Sequence, residues 1–239
     1  MGHPPRWPVV AAVALTWTLH GVASAERGKD DATLYKRFLP SRRLRRLGFN
    51  VDDATKEMVL ALKAKLCPDC ELALTRRSVD EMRTLDINRD GRKDLVALTS
   101  DGCTADPNGV LLVCSVPRGY IVQMIFTERA LLEDTLRDVD GDGKYEIVTN
   151  SWVMGATCHA MACHWHDVYT WTPRGYTPAN CQYLEPYYLA QYLPELIRYI
   201  AFAEERLQLG DDRSDATAIL QDARMLIGKV VALAKQGKE

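Results

Sequence analysis

Asp138-Val-Asp-Gly-Asp-Gly-Lys-Tyr-Glu-Ile-Val148 is the most informative stretch of the chain, and it has an earlier copy, Asp86-Ile-Asn-Arg-Asp-Gly-Arg-Lys-Asp-Leu-Val96. Both copies place carboxylate or amide oxygens at loop positions 1, 3 and 5, a glycine at position 6 and an acid at position 9. Alternate side chains of a tight loop can converge on one point, and Ca²⁺ takes roughly six to eight oxygen ligands. The two copies therefore predict two calcium-binding loops.

The acid at position 9 separates these loops from the EF-hand, in which a bidentate Glu at position 12 leads into a helix. Position 12 is Ala97 in the first copy and Thr149 in the second, and the apolar residues after each loop predict a strand. The position 9 acid is thus expected to close the metal shell. The predicted ligands are the side chains of Asp86, Asn88, Asp90, Asp94, Asp138, Asp140, Asp142 and Glu146 and the backbone carbonyls of Arg92 and Lys144.

A loop of the form Asp-x-Asp/Asn-x-Asp-Gly-x-x-Asp/Glu that runs straight into a strand resembles the FG-GAP/VCBS repeat family. The resemblance covers roughly residues 83–180, and the Phe-Gly and Gly-Ala-Pro signatures of that family are absent from the sequence. The resemblance implies that each loop sits in a β-propeller blade. It also implies that the protein binds Ca²⁺ and serves as an adhesion or ligand-binding module.

A second motif is duplicated in the same order. Pro117-Arg-Gly-Tyr120 recurs as Pro173-Arg-Gly-Tyr176, and each copy is flanked by apolar, β-branched runs. Each unit therefore predicts a loop, a strand, a variable insertion, a second strand, a turn and a third strand. A repeat period near 50 residues with short strands is typical of propeller blades.

Helices are predicted on both sides of the repeats. A short helix over 32–39 is expected, capped by Asp31, and residues 53–66 predict a longer helix capped by Asp52 or Asp53. At the other end, residues 195–209 and 216–236 carry apolar faces at helical spacing and predict an antiparallel hairpin. Five tyrosines precede or begin this hairpin, and we expect them to pack between sheet and helix: Tyr183, Tyr187, Tyr188, Tyr192 and Tyr199.

The predicted fold class is α+β, with two blade-like antiparallel units that carry the calcium loops. An N-terminal helix and a C-terminal helical hairpin flank these units. The expected organisation is a signal peptide (1–25), an N-terminal helical segment (26–82), two calcium repeats (83–182) and the helical hairpin (183–239).

Export is predicted from the first residues. Arg6 precedes an apolar run from Val9 to Leu19, which is too short to span a bilayer, and Ala23-Ser-Ala25 fits a signal-peptidase site. No later stretch is apolar enough to predict a membrane span, so we expect a periplasmic or secreted protein. The formal net charge of −2 gives no reason to expect a nucleic-acid partner.

Six basic residues lie between Lys36 and Arg46. One interpretation is an anion-binding or membrane-surface patch. The interpretation we favour is a solvated helix face with Leu44 and Leu47 packed inward.

Cysteines offer a second kind of chemistry. In an exported protein disulfides are the default, and the candidates are Cys67, Cys70, Cys103, Cys114, Cys158, Cys163 and Cys181. Thiolates and imidazoles also suit Zn²⁺ or copper. A possible second metal site therefore consists of Cys158, His159, Cys163, His164 and His166, although a disulfide-closed loop is the simpler interpretation.

The sequence contains no recognised hydrolase or nucleotide-binding motif. We therefore expect a non-catalytic binding or adhesion-type module with two structural Ca²⁺ ions and an unknown protein or glycan partner. Two alternatives are a zinc- or copper-binding protein or metalloenzyme that uses the Cys158–His166 run, and an envelope hydrolase.

Overall fold

The fold is taken from a computed structural model, which describes residues 33–66, 78–100, 108–128, 131–152, 163–210 and 213–237. The strands are β1 (Thr33–Pro40), β2 (Ser78–Leu85), β3 (Asp94–Ser100), β4 (Asn108–Val116), β5 (Gly119–Thr127), β6 (Leu136–Arg137), β7 (Glu146–Trp152), β8 (His164–Thr172) and β9 (Gly175–Pro178). The helices are α1 (Ser41–Arg46), α2 (Lys56–Leu66), α3 (Leu132–Thr135), a π-helix (Leu184–Tyr192), α4 (Leu193–Leu209) and α5 (Arg213–Gln236).

The strands form two antiparallel sheets, so the α+β class is confirmed. The first sheet has the order β1-β5-β4-β3-β2 and the second has the order β6-β7-β8-β9. In each sheet, four strands that are consecutive in sequence pair with their neighbours as an up-and-down meander, and β1 adds to the outer side of β5. The three strands and the one Pro-Arg turn predicted for each unit are thus present.

The two sheets share a core, and helices cover their other faces. Along β3, Leu95 and Ala97 contribute to a cluster with Leu62 of α2, whereas Val96 and Leu98 contribute to a cluster with Ile147 of the second sheet. This alternation is the two-residue period of a strand with both faces buried. The opposite face of the second sheet packs on the π-helix, α4 and α5. The molecule is therefore layered as helices, sheet, sheet and helices.

Hydrogen bonds also tie the two sheets together. The buried side chain of Gln123 on β5 accepts a bond from the N–H of Tyr176 on β9 (3.0 Å) and donates one to its carbonyl oxygen (2.9 Å). Lys36 Nζ donates to the same carbonyl oxygen over 3.1 Å. Because both backbone groups of Tyr176 are satisfied across the joint, the relative position of β5 and β9 is fixed.

The prediction of a helix over 32–39 is wrong for the residues of this range that the structure describes. Residues Thr33–Pro40 form β1, which pairs with β5 from Thr33 opposite Ile125 to Pro40 opposite Gly119. Long-range pairing has overridden the local helical preference. The helix begins only after Pro40, and in α1 Leu44 is buried while Leu47 packs on the same core, as the favoured interpretation of the basic segment expected.

The helix predicted over 53–66 is confirmed, but its N-terminus is different. It begins at Lys56, and Thr55 Oγ1 accepts a hydrogen bond from the N–H of Met58 over 3.3 Å. Thr55 therefore caps the helix, in place of Asp52 or Asp53. Asp53 instead accepts a hydrogen bond from the Asn50 side chain.

The C-terminal hairpin is confirmed, and it packs on the second sheet. Leu196 and Ala203 of α4 and Leu226 and Val230 of α5 lie in the same buried cluster as Val168 of β8. As predicted, four of the five tyrosines are buried between sheet and helix and the fifth packs against them: Tyr183, Tyr187, Tyr188, Tyr192 and, partly exposed, Tyr199. Within the described ranges, no helix has the length and apolar character that crossing a membrane requires.

Candidate calcium loops

The two loops follow the same backbone path. In both, the N–H at position 5 donates to the side-chain oxygen at position 3: Asp90 to Asn88 (3.0 Å) and Asp142 to Asp140 (3.1 Å). In both, the N–H at position 7 donates to the carboxylate at position 5, over 2.9 Å in the first loop and 2.7 Å in the second. These short-range bonds hold the side-chain oxygens at positions 3 and 5 against the backbone of each loop.

Left-handed backbone occurs at equivalent positions in the two loops. Position 6 is Gly91 with φ +82° and Gly143 with φ +80°. Position 4 is Gly141 with φ +76° in the second loop and Arg89 with φ +56° in the first. A glycine adopts this conformation at little cost, whereas a residue with a Cβ is strained there. The first loop therefore holds Arg89, a residue with a Cβ, in a left-handed conformation that strains its backbone.

The acids at position 9 are buried at the start of their strands. Asp94 Oδ2 accepts a bond from the N–H of Ile87 (3.2 Å), and Glu146 Oε2 accepts one from the N–H of Val139 (2.9 Å), so each acid closes its loop back to position 2. Burial raises the pKa of Asp94 to about 7, and the nearby carboxylates add to the rise. Burial also raises the pKa of Glu146. A bound cation would stabilise the charged form of both acids.

The second loop brings carboxylates together. One oxygen from each of Asp138, Asp140 and Glu146 lies within 4.8 Å of the others. Asp142 is held differently, since its carboxylate accepts a hydrogen bond from Lys144 Nζ over 2.6 Å, and this bond lowers the pKa of Asp142. Three of the four predicted side-chain ligands of this loop thus converge in the structure. The carbonyl role expected for Lys144 stays a prediction.

The first loop, all of which the structure describes, forms no such trio of acids. Asp86 instead accepts hydrogen bonds from the N–H groups of Asp90 (3.0 Å) and Gly91 (2.8 Å). Asp94 Oδ1 accepts one from the N–H of Ser115 (2.6 Å). Asn88 is buried, and its Nδ2 has no hydrogen-bond partner among the described residues. The predicted ligands are close along the loop, but their oxygens are occupied by backbone N–H groups, and the carbonyl role of Arg92 stays a prediction.

Sequence reasoning missed the surroundings of Glu146. Tyr183, which precedes the π-helix, donates its hydroxyl to Glu146 Oε1 over 2.9 Å and also bonds Thr170 Oγ1. The tyrosine was expected only to fill the core. Its contact with the loop depends on how the C-terminal helices pack on the second sheet, and no local pattern carries that information.

The possible second metal site is only partly within the described residues. Cys158 and His159 lie outside them. His164 Nε2 lies 3.0 Å from Glu128 Oε2, and His166 Nδ1 lies 2.6 Å from the Tyr187 hydroxyl. Among the described residues, Cys163, His164 and His166 do not form a metal-binding group. Metal binding by this run stays a prediction.

Three of the seven cysteines are described, and all three are free thiols: Cys114, Cys163 and Cys181. The structure therefore shows no disulfide for them. Cys114 and Cys163 are buried, and burial raises the pKa of the Cys163 thiol to about 11. Cys67, Cys70, Cys103 and Cys158 lie outside the described residues, as does the predicted signal peptide.

Comparisons with protein-family models, with curated proteins and with solved structures found no match to this chain.

Proposed function

We propose that the protein is an exported calcium-binding module with two repeats of the FG-GAP/VCBS type, each a blade-like unit that carries one Ca²⁺. The observation that carries the proposal is the equivalence of the two loops. They share their hydrogen bonds at positions 2, 5 and 7 and their left-handed residues at positions 4 and 6. An ordinary acidic turn has no reason to be duplicated in this detail.

In the second loop, Asp138, Asp140 and Glu146 would supply carboxylate oxygens to the ion. Each oxygen of Glu146 already accepts one hydrogen bond, from Val139 and from Tyr183, and a carboxylate oxygen can accept a second partner. The ion would offset the repulsion between three clustered acids and the cost of burying Glu146. Calcium would therefore stabilise the entrance to β7.

In the first loop, binding would require a local rearrangement. Its acids do not converge as those of the second loop do, and position 3 is the neutral Asn88 where the second loop has Asp140. We therefore propose that the first loop binds Ca²⁺ more weakly than the second. Extracellular calcium modules bind with Kd values of roughly 10⁻⁴–10⁻³ M, which sets the expected range for both.

The proposed role of the module is non-catalytic binding of a protein or a glycan, with calcium as a structural ion. The insertions that we expect to contact a partner, between β3 and β4 and between β7 and β8, lie outside the described residues. Support for this role comes from the family resemblance of the loops alone.

Isothermal titration calorimetry with Ca²⁺ and thermal melts in EDTA and in calcium test the proposal on the mature chain. The expected result is two sites and, at roughly hundredfold excess over Kd, a stabilisation of about 2.7 kcal/mol per site. Asp140→Asn removes a ligand of the second loop and should abolish the tighter site. Glu133→Gln removes an exposed acid outside the loop and should leave both sites unchanged. Absence of heat and of any calcium-dependent shift in Tm would show that the loops are ordinary turns.

A further inference from the structure

A cleft of about 530 Å³ lies where the two Pro-Arg turns meet β1. Arg118 comes from the β4–β5 turn and Arg174 from the β8–β9 turn, so the two repeats contribute equivalent arginines. Lys36 and Arg37 of β1 complete the basic part of the lining. The volume is that of a small-molecule site.

The charge of this cleft has one sign. Four of its lining residues are basic and none is acidic. No salt bridge joins Lys36, Arg37, Arg118 or Arg174 to an acid within the part of the chain that the structure describes. Arginine presents a planar fork of donors that matches carboxylate and phosphate groups. The cleft therefore offers donors for more than one oxyanion.

The rest of the lining is apolar. Phe38, Pro117, Ile121 and Pro173 contribute to it, and the Phe38 side chain is 49% exposed. A large aromatic side chain in the lining of a basic cleft adds apolar contact area that an inorganic anion cannot use. A ligand with both an anionic and an apolar part would use the whole lining.

Hydrogen bonds and a close backbone contact hold the elements that form the cleft. The bonds from Gln123 and Lys36 to Tyr176 fix the β8–β9 hairpin to the first sheet just beside Arg174. On the other side, a Cβ at Gly119 would collide with the carbonyl oxygen of Leu39, so β1 and the β4–β5 turn are in close contact. Both turns therefore keep their backbone position when a ligand binds, which lowers the entropy cost of binding. Partial burial also lowers the pKa of Lys36, and a bound anion would raise this pKa again.

We propose that this cleft binds a small organic polyanion, whose carboxylate or phosphate groups contact Arg118, Arg174 and Arg37 and whose apolar body packs on Phe38 and the prolines. This site is separate from the calcium loops and does not rest on the proposed calcium binding. The six basic residues between Lys36 and Arg46 thus fall into two groups. Lys36 and Arg37 line the cleft, and the other four lie on the solvated face of α1.

The test is calorimetric titration with four probes: phthalate, phenyl phosphate, inorganic phosphate and benzyl alcohol. We expect saturable binding of phthalate or phenyl phosphate with a Kd of about 1 mM or below, weakened by salt. Phthalate and phenyl phosphate distinguish a carboxylate ligand from a phosphate ligand. Inorganic phosphate and benzyl alcohol, which carry only one part of the proposed ligand, should bind at least about tenfold more weakly.

Arg118→Gln and Arg174→Gln should each weaken binding of the better probe by about tenfold, and Arg118→Lys should restore part of it. Both arginines are exposed, so these variants are expected to keep the Tm of the parent protein. Arg46→Gln, which makes the same charge change at an exposed site on α1, should bind like the parent. The proposal is overturned if neither aromatic anion binds saturably, if inorganic phosphate binds as tightly as phenyl phosphate, or if the Arg118 and Arg174 variants bind like Arg46→Gln.

Discussion

The backbone N–H of Tyr145 donates a hydrogen bond to the carbonyl oxygen of Ile87 over 2.9 Å, and this bond joins the two acidic loops directly. The N–H of Ile87 in turn donates a hydrogen bond to Asp94, the closing acid of the first loop. Tyr145 immediately precedes Glu146, the closing acid of the second loop. The backbone of Ile87 thus connects Asp94 to the residue that precedes Glu146.

Together with the proposed calcium binding, this bond predicts that the two loops are coupled. Asp140→Asn, which removes a proposed ligand of the second loop only, should also weaken binding at the first loop, by about fivefold or more, since couplings of about 1–3 kcal/mol are typical. The measurement is the Kd of the remaining site by calorimetry. Glu133→Gln is the control. An unchanged Kd at the first loop in Asp140→Asn would show that the loops bind independently.

Arg89 and Gly143 give a second prediction. A Cβ at Gly143 would collide with the guanidinium of Arg89, whereas a Cβ at Gly141 would meet no atom within 4 Å. Gly141→Ala should therefore cost only the left-handed strain of about 1 kcal/mol. Gly143→Ala should cost at most about 0.5 kcal/mol more, because the exposed Arg89 side chain can move aside. Urea unfolding in EDTA measures both without a contribution from metal.

Arg89→Ala provides the matched background for that comparison. Without the guanidinium, the two glycine substitutions should destabilise the protein equally, because only the backbone strain remains. A difference that persists in Arg89→Ala would assign the cost at Gly143 to another cause.

Gln123 is predicted to be the main polar link between the sheets. Gln123→Met keeps a similar side-chain shape but removes both hydrogen bonds to the backbone of Tyr176. The N–H of Tyr176 then loses the bond to Gln123, whereas its carbonyl oxygen keeps the bond from Lys36. An unsatisfied buried group costs about 1–3 kcal/mol, so we expect a loss in this range or slightly above it. Chemical denaturation measures the loss. Thr177→Val, a substitution at a partly exposed neighbour on β9, should cost less than 1 kcal/mol.

His166 predicts a dependence of stability on pH. Burial, together with His164 and Arg137, lowers its pKa from 6.5 to about 3, so the folded protein keeps this ring neutral where the unfolded chain protonates it. Its contribution to the free energy of unfolding is complete above pH 6.5 and is lost as the pH falls from 6.5 towards 3. The expected slope is about 1.4 kcal/mol per pH unit.

The comparison with His166→Asn isolates this effect, because other titrating groups contribute to both proteins. The difference in free energy of unfolding between parent and variant should be constant above pH 6.5 and should shrink below it. Parallel stability curves from pH 7 to pH 4 would contradict the low pKa of His166.

The sequence predicted the features of the fold that depend on neighbours along the chain. The spacing of acids and glycines located both loops, and apolar runs located the strands β3 and β7 that follow them. The apolar faces of α4 and α5 predicted the hairpin, including the buried Leu196 and Val230. In each case the residues on which the prediction depends lie close together in the sequence.

Features that depend on distant residues were missed. Thr33–Pro40 forms a strand because β5 supplies its partners, and β5 begins far along the chain at Gly119. The π-helix has buried tyrosines whose hydroxyls reach β8, as Tyr188 does at the carbonyl oxygen of His166. The basic cleft needs both Pro-Arg turns at one end of the sheet pair. None of these relationships leaves a periodic signal in the sequence.

Helices lie on both outer faces of the sheet pair, α1 and α2 on one side and the π-helix, α4 and α5 on the other. A stack of repeats grows only where a bare apolar face is left for the next unit, and polar-faced terminal elements stop its growth. Among the described residues, neither sheet keeps such a face. The helical layers therefore cover the faces on which a further sheet could otherwise stack.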